Sequence, residues 1–366
     1  MDAKKRKNTV KTVAKTVICI IAVLLITVIS YLLYVVLEYD RIEDGLALQV
    51  ETPAEQCVQT GKSYSAITYN VGFGAYSPEF SFFLDTGTTA DGIEVVGKSA
   101  KAASQKEVQK NTDGAISVLQ THSPDFVLLQ EVDEKSNRSR FVNQREAFKS
   151  EGYGSVFAVN FHSAYLLYPF NDPIGKSLSG IMTLSRFKID GAKRISLPLS
   201  TDFSKFFDLD RCITVNRLPV EGTDKQLVLI NVHLSAYDTG GIIRKQQTEL
   251  FFNLLNTEAN NGNYVLAGGD FNQLLYDVQF PTTQPYNTWA FPFPTSELPA
   301  GFSVYSDTDT PTCRNANMPY VKGESYTCII DGFIASENVV VSQAEVVLEE
   351  FEYSDHNPVK ITFSLN

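Results

Sequence analysis

The sequence predicts an α/β fold, with a mixed pair of β-sheets flanked by helices, carried behind one N-terminal membrane helix. Three observations predict it. Residues 16–37 form an uncharged apolar run. From Ser63 onward, strand-like and helix-like patterns alternate, which is the signature of sheets covered by helices. Most of the apolar strand-like runs also hand over to a small polar cluster at the C-terminal end.

The apolar run, TVICIIAVLLITVISYLLYVVL, is long enough to cross a bilayer. Tyr31, Tyr34 and Tyr39 near its end suit an interfacial aromatic belt, where a cleaved signal would carry a small-residue cleavage site. Lys4, Lys5, Arg6, Lys7, Lys11 and Lys15 precede the run against one acid, Asp2, and Glu38, Asp40, Glu43 and Asp44 follow it. The positive-inside rule then predicts a single-pass protein of the cell membrane. Its tail, residues 1–15, is cytoplasmic, its helix spans 16–37, and everything from residue 38 on is extracellular.

The chain has 366 residues and a net charge of −11. Beyond residue 15 it carries 25 basic against 41 acidic residues. An acidic body argues against tight wrapping of nucleic acid. It leaves open a hydrolase that grips phosphate through metal ions. Hydrophobic residues make up 43 % of the chain, enough for a sizeable core. Of five cysteines, Cys19 lies in the span. Cys57, Cys212, Cys313 and Cys328 face an oxidising exterior in which disulfides persist. Cys313 and Cys328 are near enough in sequence to bridge one loop, and four cysteines allow three full pairings. No zinc-type Cys/His spacing is present.

Residues 38–62 read as a juxtamembrane connector, mixed and weakly periodic. SAITYNV (65–71) reads as a strand, and 73–104 as a long Gly-, Ser- and aromatic-rich loop of a length that is uncommon unless functional. Val108, Thr112, Ala115, Ile116 and Leu119 fall at helical spacing, stopped by Ser123-Pro124, so His122 is a helix-end residue. FVLLQEV (126–132), SGIMTLSRF (179–187) and LVLINVHLS (227–235) are strands, with Arg186 in a structural role. Residues 244–260 form an amphipathic helix stopped by Asn261-Gly262. YVLAGGD (264–270), YTCIIDGFIAS (326–336) and PVKITFSL (358–365) complete the strands. The aromatic stretch 287–298 reads as a packed lid, with a substrate- or membrane-facing loop as the other reading. No second boundary interrupts residues 63–366, which form one domain.

The polar clusters at the strand ends carry the chemistry. They are Asn70, Gln130 with Glu131, Asn231 with His233, Asp270 with Asn272, Asp331, and Asp355 with His356. A single such residue is most often a solvated turn residue. Several in one domain, brought together at sheet ends, make a pocket of acids, amides and imidazoles. Oxygen donors of this kind suit a hard cation such as Mg²⁺ or Mn²⁺. Histidine adds acid–base chemistry near neutral pH. Together they are the reagents of phosphoester hydrolysis.

The ordered set TYN, LLQEVD, GIMTLSR, INVHLS, GGDFN, CIIDGF and YSDHNPV resembles the endonuclease/exonuclease/phosphatase superfamily. That superfamily includes pancreatic-type deoxyribonucleases, abasic-site endonucleases, neutral sphingomyelinases and inositol-polyphosphate 5-phosphatases. The resemblance covers residues 63–366 and implies a four-layer α/β sandwich with the site at one end of both sheets. It implies that Glu131 binds the metal with Asn70 beside it, and that Asp355 is a second metal- or phosphate-facing acid. By the same resemblance Asp270 and Asn272 contact the scissile phosphate and its attacking water, His356 is the catalytic histidine and Asp331 orients it. His233 then handles the phosphate or the leaving oxygen. Asn160 and His162 are candidates for a further phosphate contact, in a region where the family often supplies one. The double glycine before Asp270 is expected to turn the backbone sharply at the sheet edge.

The expected function is a membrane-anchored, outward-facing phosphoric ester hydrolase that needs Mg²⁺ or Mn²⁺, with room for a second divalent ion. A phosphodiesterase acting on nucleic acid, a phospholipid head group or a small phosphodiester leads. A phosphomonoesterase acting on inositol or lipid phosphates and an inactive binding module of the same fold are the alternatives. The membrane is reached through the N-terminal helix, and no protein partner is evident in the sequence.

Overall fold

Helix and strand patterns resolve, in a computed structural model, into two stacked sheets with a helix on each outer face. The structure describes residues 3–39, 41–206, 209–236, 238, 240–285 and 289–366. Asp2 and Asp40 of the charge reading, and Asn287 and Thr288 of the aromatic stretch, lie outside them.

Helix α1 (Ala3–Glu38) runs without interruption through the basic segment and the apolar run. It is long and apolar enough to cross a membrane, and its apolar side chains are almost all exposed. The strands follow as β1 (Val50–Glu51), β2 (Ser63–Asn70), β3 (Thr86–Thr88) and β4 (Glu94–Val96). Helix α2 (Gln105–His122) leads to β5 (Phe126–Asp133), and the short α3 (Gln144–Phe148) to β6 (Gly154–His162). Next come β7 (Leu178–Ser185), β8 (Gly191–Ser196), β9 (Cys212–Pro219) and β10 (Gln226–His233). Helix α4 (Ile242–Asn260) precedes β11 (Tyr264–Asp270) and β12 (Phe302–Tyr305). The chain closes with β13 (Cys313–Arg314), β14 (Thr327–Cys328), β15 (Asp331–Ser336), β16 (Val339–Val346) and β17 (Val359–Leu365).

One sheet has the order β1-β6-β7-β5-β2-β17-β16 and the other β12-β15-β11-β10-β9-β8. In each, one parallel pair joined by a helix stands at the centre: β2 and β5 with α2 between, β10 and β11 with α4 between. The period of two along a strand explains the layering. Phe126 and Leu128 of β5 point between the sheets with Leu229, Leu266, Phe333 and Phe363. Val127 and Leu129 point outward onto Ala115 and Leu119 of α2. On the other side, Val228 and Ile230 meet Phe251 and Leu255 of α4. The result is the expected four-layer α/β sandwich.

Three expectations are corrected in detail. Residues 73–104 are not a bare loop: they begin inside the turn Gly72–Gly74 and hold the β3–β4 hairpin. The stretch 326–336 is not one strand, because Thr327–Cys328 pairs with β13 while Asp331–Ser336 joins the second sheet. The double glycine makes no turn. Gly268 and Gly269 lie inside β11, where a Cβ on Gly269 would stand 2.0 Å from the Val232 carbonyl oxygen and one on Gly268 2.5 Å from Phe333. They are glycines because the neighbouring strands leave no room for a side chain.

The connector 38–62 is stitched to the sandwich. The Ile42 amide donates to Asp210 Oδ2 (2.8 Å), the Leu48 amide to the Ala192 carbonyl (2.9 Å) and the Gly61 amide to the Leu365 carbonyl (2.9 Å). All five cysteines are free thiols, and Cys313 and Cys328 face each other across β13 and β14.

Candidate active site

The two parallel strand pairs end at the same edge of the sandwich, and their polar termini face one another. Asn70 ends β2, His233 ends β10 and Asp270 ends β11. Asp331 opens β15 directly opposite Asp270. Asp355 and His356 sit just before β17 and are tied to β2, since the Ser354 hydroxyl donates to the Asn70 carbonyl (2.7 Å). Glu131 is aimed by a bulge in β5, where the register with β7 shifts between Leu129 and Val132. Its φ of 55° and the 50° of Asn272 are left-handed conformations that non-glycine residues rarely hold unless surrounding structure imposes them.

Seven of these side chains, Asn70, Glu131, His233, Asp270, Asn272, Asp355 and His356, line one cavity of about 270 Å³. Asp270 is at its centre. Its Oδ2 accepts from Asn70 Nδ2 (3.0 Å) and Asn272 Nδ2 (3.2 Å), and lies 3.7 Å from His233 Nε2 and 3.8 Å from His356 Nε2. Its Oδ1 accepts from the Asn272 amide (2.8 Å). Asn272 therefore acts first on Asp270, holding both of its oxygens. Behind the cavity wall, His356 Nδ1 donates to Asp331 Oδ2 at 2.8 Å, which leaves Nε2 facing the cavity. Asp331, Asp270 and His356 offer ligand atoms within 4.8 Å of one another.

Electrostatics separate the two imidazoles. Burial pushes His233 well below the usual histidine range, and the charges of Arg211, His356 and Arg138 push it the same way, so it stays neutral. Burial acts downward on His356 too, but Asp331, Asp355 and Asp270 surround it and hold its proton well above that range. Burial raises Asp270 to about 7, against the pull of His356 and the Asn70 hydrogen bond. Burial also raises Asp355.

Asn160 and His162 are not among the residues lining the cavity. Asn160 lies at a register shift between β6 and β7, buried, with both amide atoms unpartnered among the described residues. Gln130 and Asn231 are also set back: Gln130 Nε2 donates to Asn231 Oδ1 (2.8 Å), clamping the two sheets together. His122 is the last residue of α2 and Arg186 bonds Tyr153 and Ser123, both as expected. The sequence reading missed four contributors. Arg138, Arg211, Arg314 and Cys313 line the same cavity. Arg138 Nη2 pairs with Asp133 (2.9 Å) and Nη1 lies 3.7 Å from Glu131. Cys313 Sγ is 3.7 Å from His356 Nε2. No apolar run or motif leads into these four: Arg138 lies between Asn137 and Ser139, Arg211 between Asp210 and Cys212, and Arg314 between Cys313 and Asn315, so the local sequence carries no signal.

Comparison with known proteins agrees with this fold. A family model described as Endonuclease/Exonuclease/phosphatase family matches residues 67–356. No curated protein matches the sequence significantly. Among solved structures, an endonuclease/exonuclease/phosphatase from Beutenbergia cavernae shares the fold with a TM-score of 0.52 and 18 % identity, covering 83 % of this chain and 72 % of that one. The human Nocturnin catalytic domain with bound sulfate gives 0.52 and 15 %, covering 87 % and 98 %. A humanised D. rerio TDP2 gives 0.51 and 15 %, covering 82 % and 99 %. With the family model spanning most of the chain and the strand-end residues meeting in one cavity, the chain belongs to the endonuclease/exonuclease/phosphatase family.

Proposed function

We propose that the protein is a membrane-anchored phosphodiesterase that depends on a divalent metal and works on the outer face of the membrane. The observation that carries the hydrolase reading is the convergence of Asp270, His233 and His356 within 3.8 Å contacts, with His356 oriented by Asp331 at 2.8 Å. The anchor rests on α1, whose apolar stretch is uncharged and unburied. The orientation rests on the basic residues before that stretch.

The donor set fits a hard cation. Glu131, Asp355 and Asn70 line the cavity with oxygen-bearing side chains, Asn70 Oδ1 also accepting from the Gly72 amide (3.0 Å), and the one thiol there, Cys313, is pushed up by burial and stays protonated. Asp355 is a buried acid whose raised carboxyl reports the cost of holding its charge there, a cost that a bound cation relieves. Glu131, Asn70 and Asp355 would hold Mg²⁺ or Mn²⁺, which would supply Lewis-acid polarisation of the phosphoryl group.

The chain's own residues do the rest. With Nδ1 committed to Asp331, the neutral form of His356, which gains weight as pH rises toward its raised range, accepts at Nε2 a proton from water as that water attacks phosphorus. The P–O bond to the leaving group breaks, and its oxygen takes a proton from within the cavity. Asp270, its carboxyl raised to about 7 by burial, is the group placed to give that proton, and the neutral His233 supports the departing oxygen by a hydrogen bond. Asn70 and Asn272 keep Asp270 in position.

The full chain in detergent micelles, given Mg²⁺ or EDTA, tests this with bis-p-nitrophenyl phosphate, p-nitrophenyl phosphate and plasmid DNA. Diester turnover that needs Mg²⁺ supports the reading. Turnover of the monoester alone replaces it with a phosphomonoesterase, and no turnover by folded protein leaves a binding module.

A further inference from the structure

Between β6 and β7 the segment 164–171, AYLLYPFN, carries no charge. Tyr165, Leu167, Tyr168 and Phe170 in it are exposed, Tyr168 by 58 % and Phe170 by 83 %. A contiguous apolar patch of this kind marks a surface that meets something other than water.

Helix α1 identifies the occupant. The Tyr31 hydroxyl donates to the Tyr165 carbonyl (3.3 Å) and accepts from the Leu167 amide (3.0 Å). The Tyr34 hydroxyl accepts from the Tyr165 amide (3.0 Å), and Lys176 Nζ lies 3.3 Å from Glu38. At a rise of about 1.5 Å per residue, Tyr31 lies about 9 Å before Leu37, where the apolar run ends, and Tyr34 about 4.5 Å before it. The segment is therefore fastened below the end of the span, at the depth where tyrosines anchor helices in the lipid interface. Any protein partner seated there would have to displace lipid from α1.

The same patch continues into the active site. The Tyr168 ring packs on Phe83 with centroids 5.7 Å apart, and Phe83 on Phe82 at 4.9 Å. Phe82, Leu84 and Ile174 line the cavity. An apolar wall thus runs from the segment to the catalytic groups.

We infer that segment 164–171 is a second membrane contact, dipping into the outer lipid interface, and that the cavity takes its phosphate ester from a bilayer lipid. This rests on the anchored-hydrolase reading above. The lipid's apolar body stays against Phe82, Leu84 and Ile174 while its head-group phosphate reaches Asp270 and His356.

The test uses the full chain reconstituted in vesicles of phosphatidylcholine, phosphatidylglycerol and sphingomyelin. Release of phosphorylated head group or of free phosphate is measured beside hydrolysis of bis-p-nitrophenyl phosphate and plasmid DNA. In Leu167→Ser/Phe170→Ser, lipid hydrolysis is expected to fall about tenfold or more, while bis-p-nitrophenyl phosphate hydrolysis stays within about twofold, because only apolar anchoring is lost. A second readout does not need activity: the fluorescence added by Phe170→Trp, over the Trp289 background, is expected to be quenched by brominated phosphatidylcholine. Protein that does not float with vesicles removes the anchored reading and this inference with it. Floated protein that cleaves bis-p-nitrophenyl phosphate or DNA but no lipid overturns the lipid substrate and leaves the hydrolase standing. Equal loss on both probes, or no quenching of the fluorescence that Phe170→Trp adds, overturns the membrane contact itself.

Discussion

At the scale of single residues, the site turns on the proton that Asp331 and His356 share. The carboxylate raises the imidazole by its charge as well as fixing its tautomer. Asp331→Asn removes the charge and keeps the shape. Activity on a diester is expected to fall by about 10²–10⁴-fold, the range of acid–base catalysis by one positioned group. The sign of the pH effect follows from the same charge. Removing an anion destabilises imidazolium, so the limb of the pH–rate profile that reports His356 moves to lower pH. A pH–kcat/KM series on both proteins checks this, and an unmoved limb would assign that limb to another group. The catalytic and metal-facing residues named from the sequence were legible because each follows an apolar strand-like run or precedes one. Arg211 and Arg314 were not, because they enter the cavity from positions no periodicity distinguishes. The role of Asn272 in holding Asp270 was invisible too, since a hydrogen bond two residues away looks in sequence like a turn.

At the scale of elements, β11 shows how one sequence cue gave a right position and a wrong reason. Glycine pairs usually punctuate turns, and the strand was expected to break there. Instead the sheet accepts Gly268 and Gly269 because the Val232 carbonyl and the Phe333 ring occupy the space of their missing side chains. Gly269→Ala is expected to cost about 1–3 kcal/mol, as overpacking against an immovable strand does. A thermal melt checks it: a lowered Tm is expected, while an unchanged one would mean that β10 yields to the new methyl. Other elements escaped the sequence reading for reasons of exposure. Strand β8, GAKRIS, lies at a sheet edge and mixes charged with small residues, so it lacks a clean apolar face. Strand β16 is likewise an edge with several exposed positions. The central strands β5 and β10, buried on both faces, were found easily because they are continuous apolar runs, whereas β6 and β9, also interior, escaped because Asn160 and Asn216-Arg217 interrupt their apolar runs.

At the scale of the whole molecule, two sheets close one cavity, and the proposed metal site draws on residues 61 to 285 positions apart in the chain, Asn70, Glu131 and Asp355. Metal binding to such a site is coupled to folding. Mg²⁺ at about a hundred times its dissociation constant is expected to stabilise the protein by about 2.7 kcal/mol. Glu131→Gln is expected to lose most of that rise, which a Tm titration with MgCl₂ measures; an equal rise in the variant would place the ion elsewhere. The connector 38–62 adds to the same picture. Its hydrogen bonds to Asp210, Ala192 and Leu365 fix the sandwich at the end of α1. The sequence showed only a weakly periodic acidic stretch there, because its partners lie more than a hundred residues away and none is signalled locally. The most direct test of the account is kcat/KM for bis-p-nitrophenyl phosphate, measured on the full chain and on His356→Ala, each with Mg²⁺ and with EDTA. The account predicts metal-dependent turnover that falls by at least about a hundredfold in the variant. Turnover that survives in folded His356→Ala, or that ignores EDTA, would contradict it.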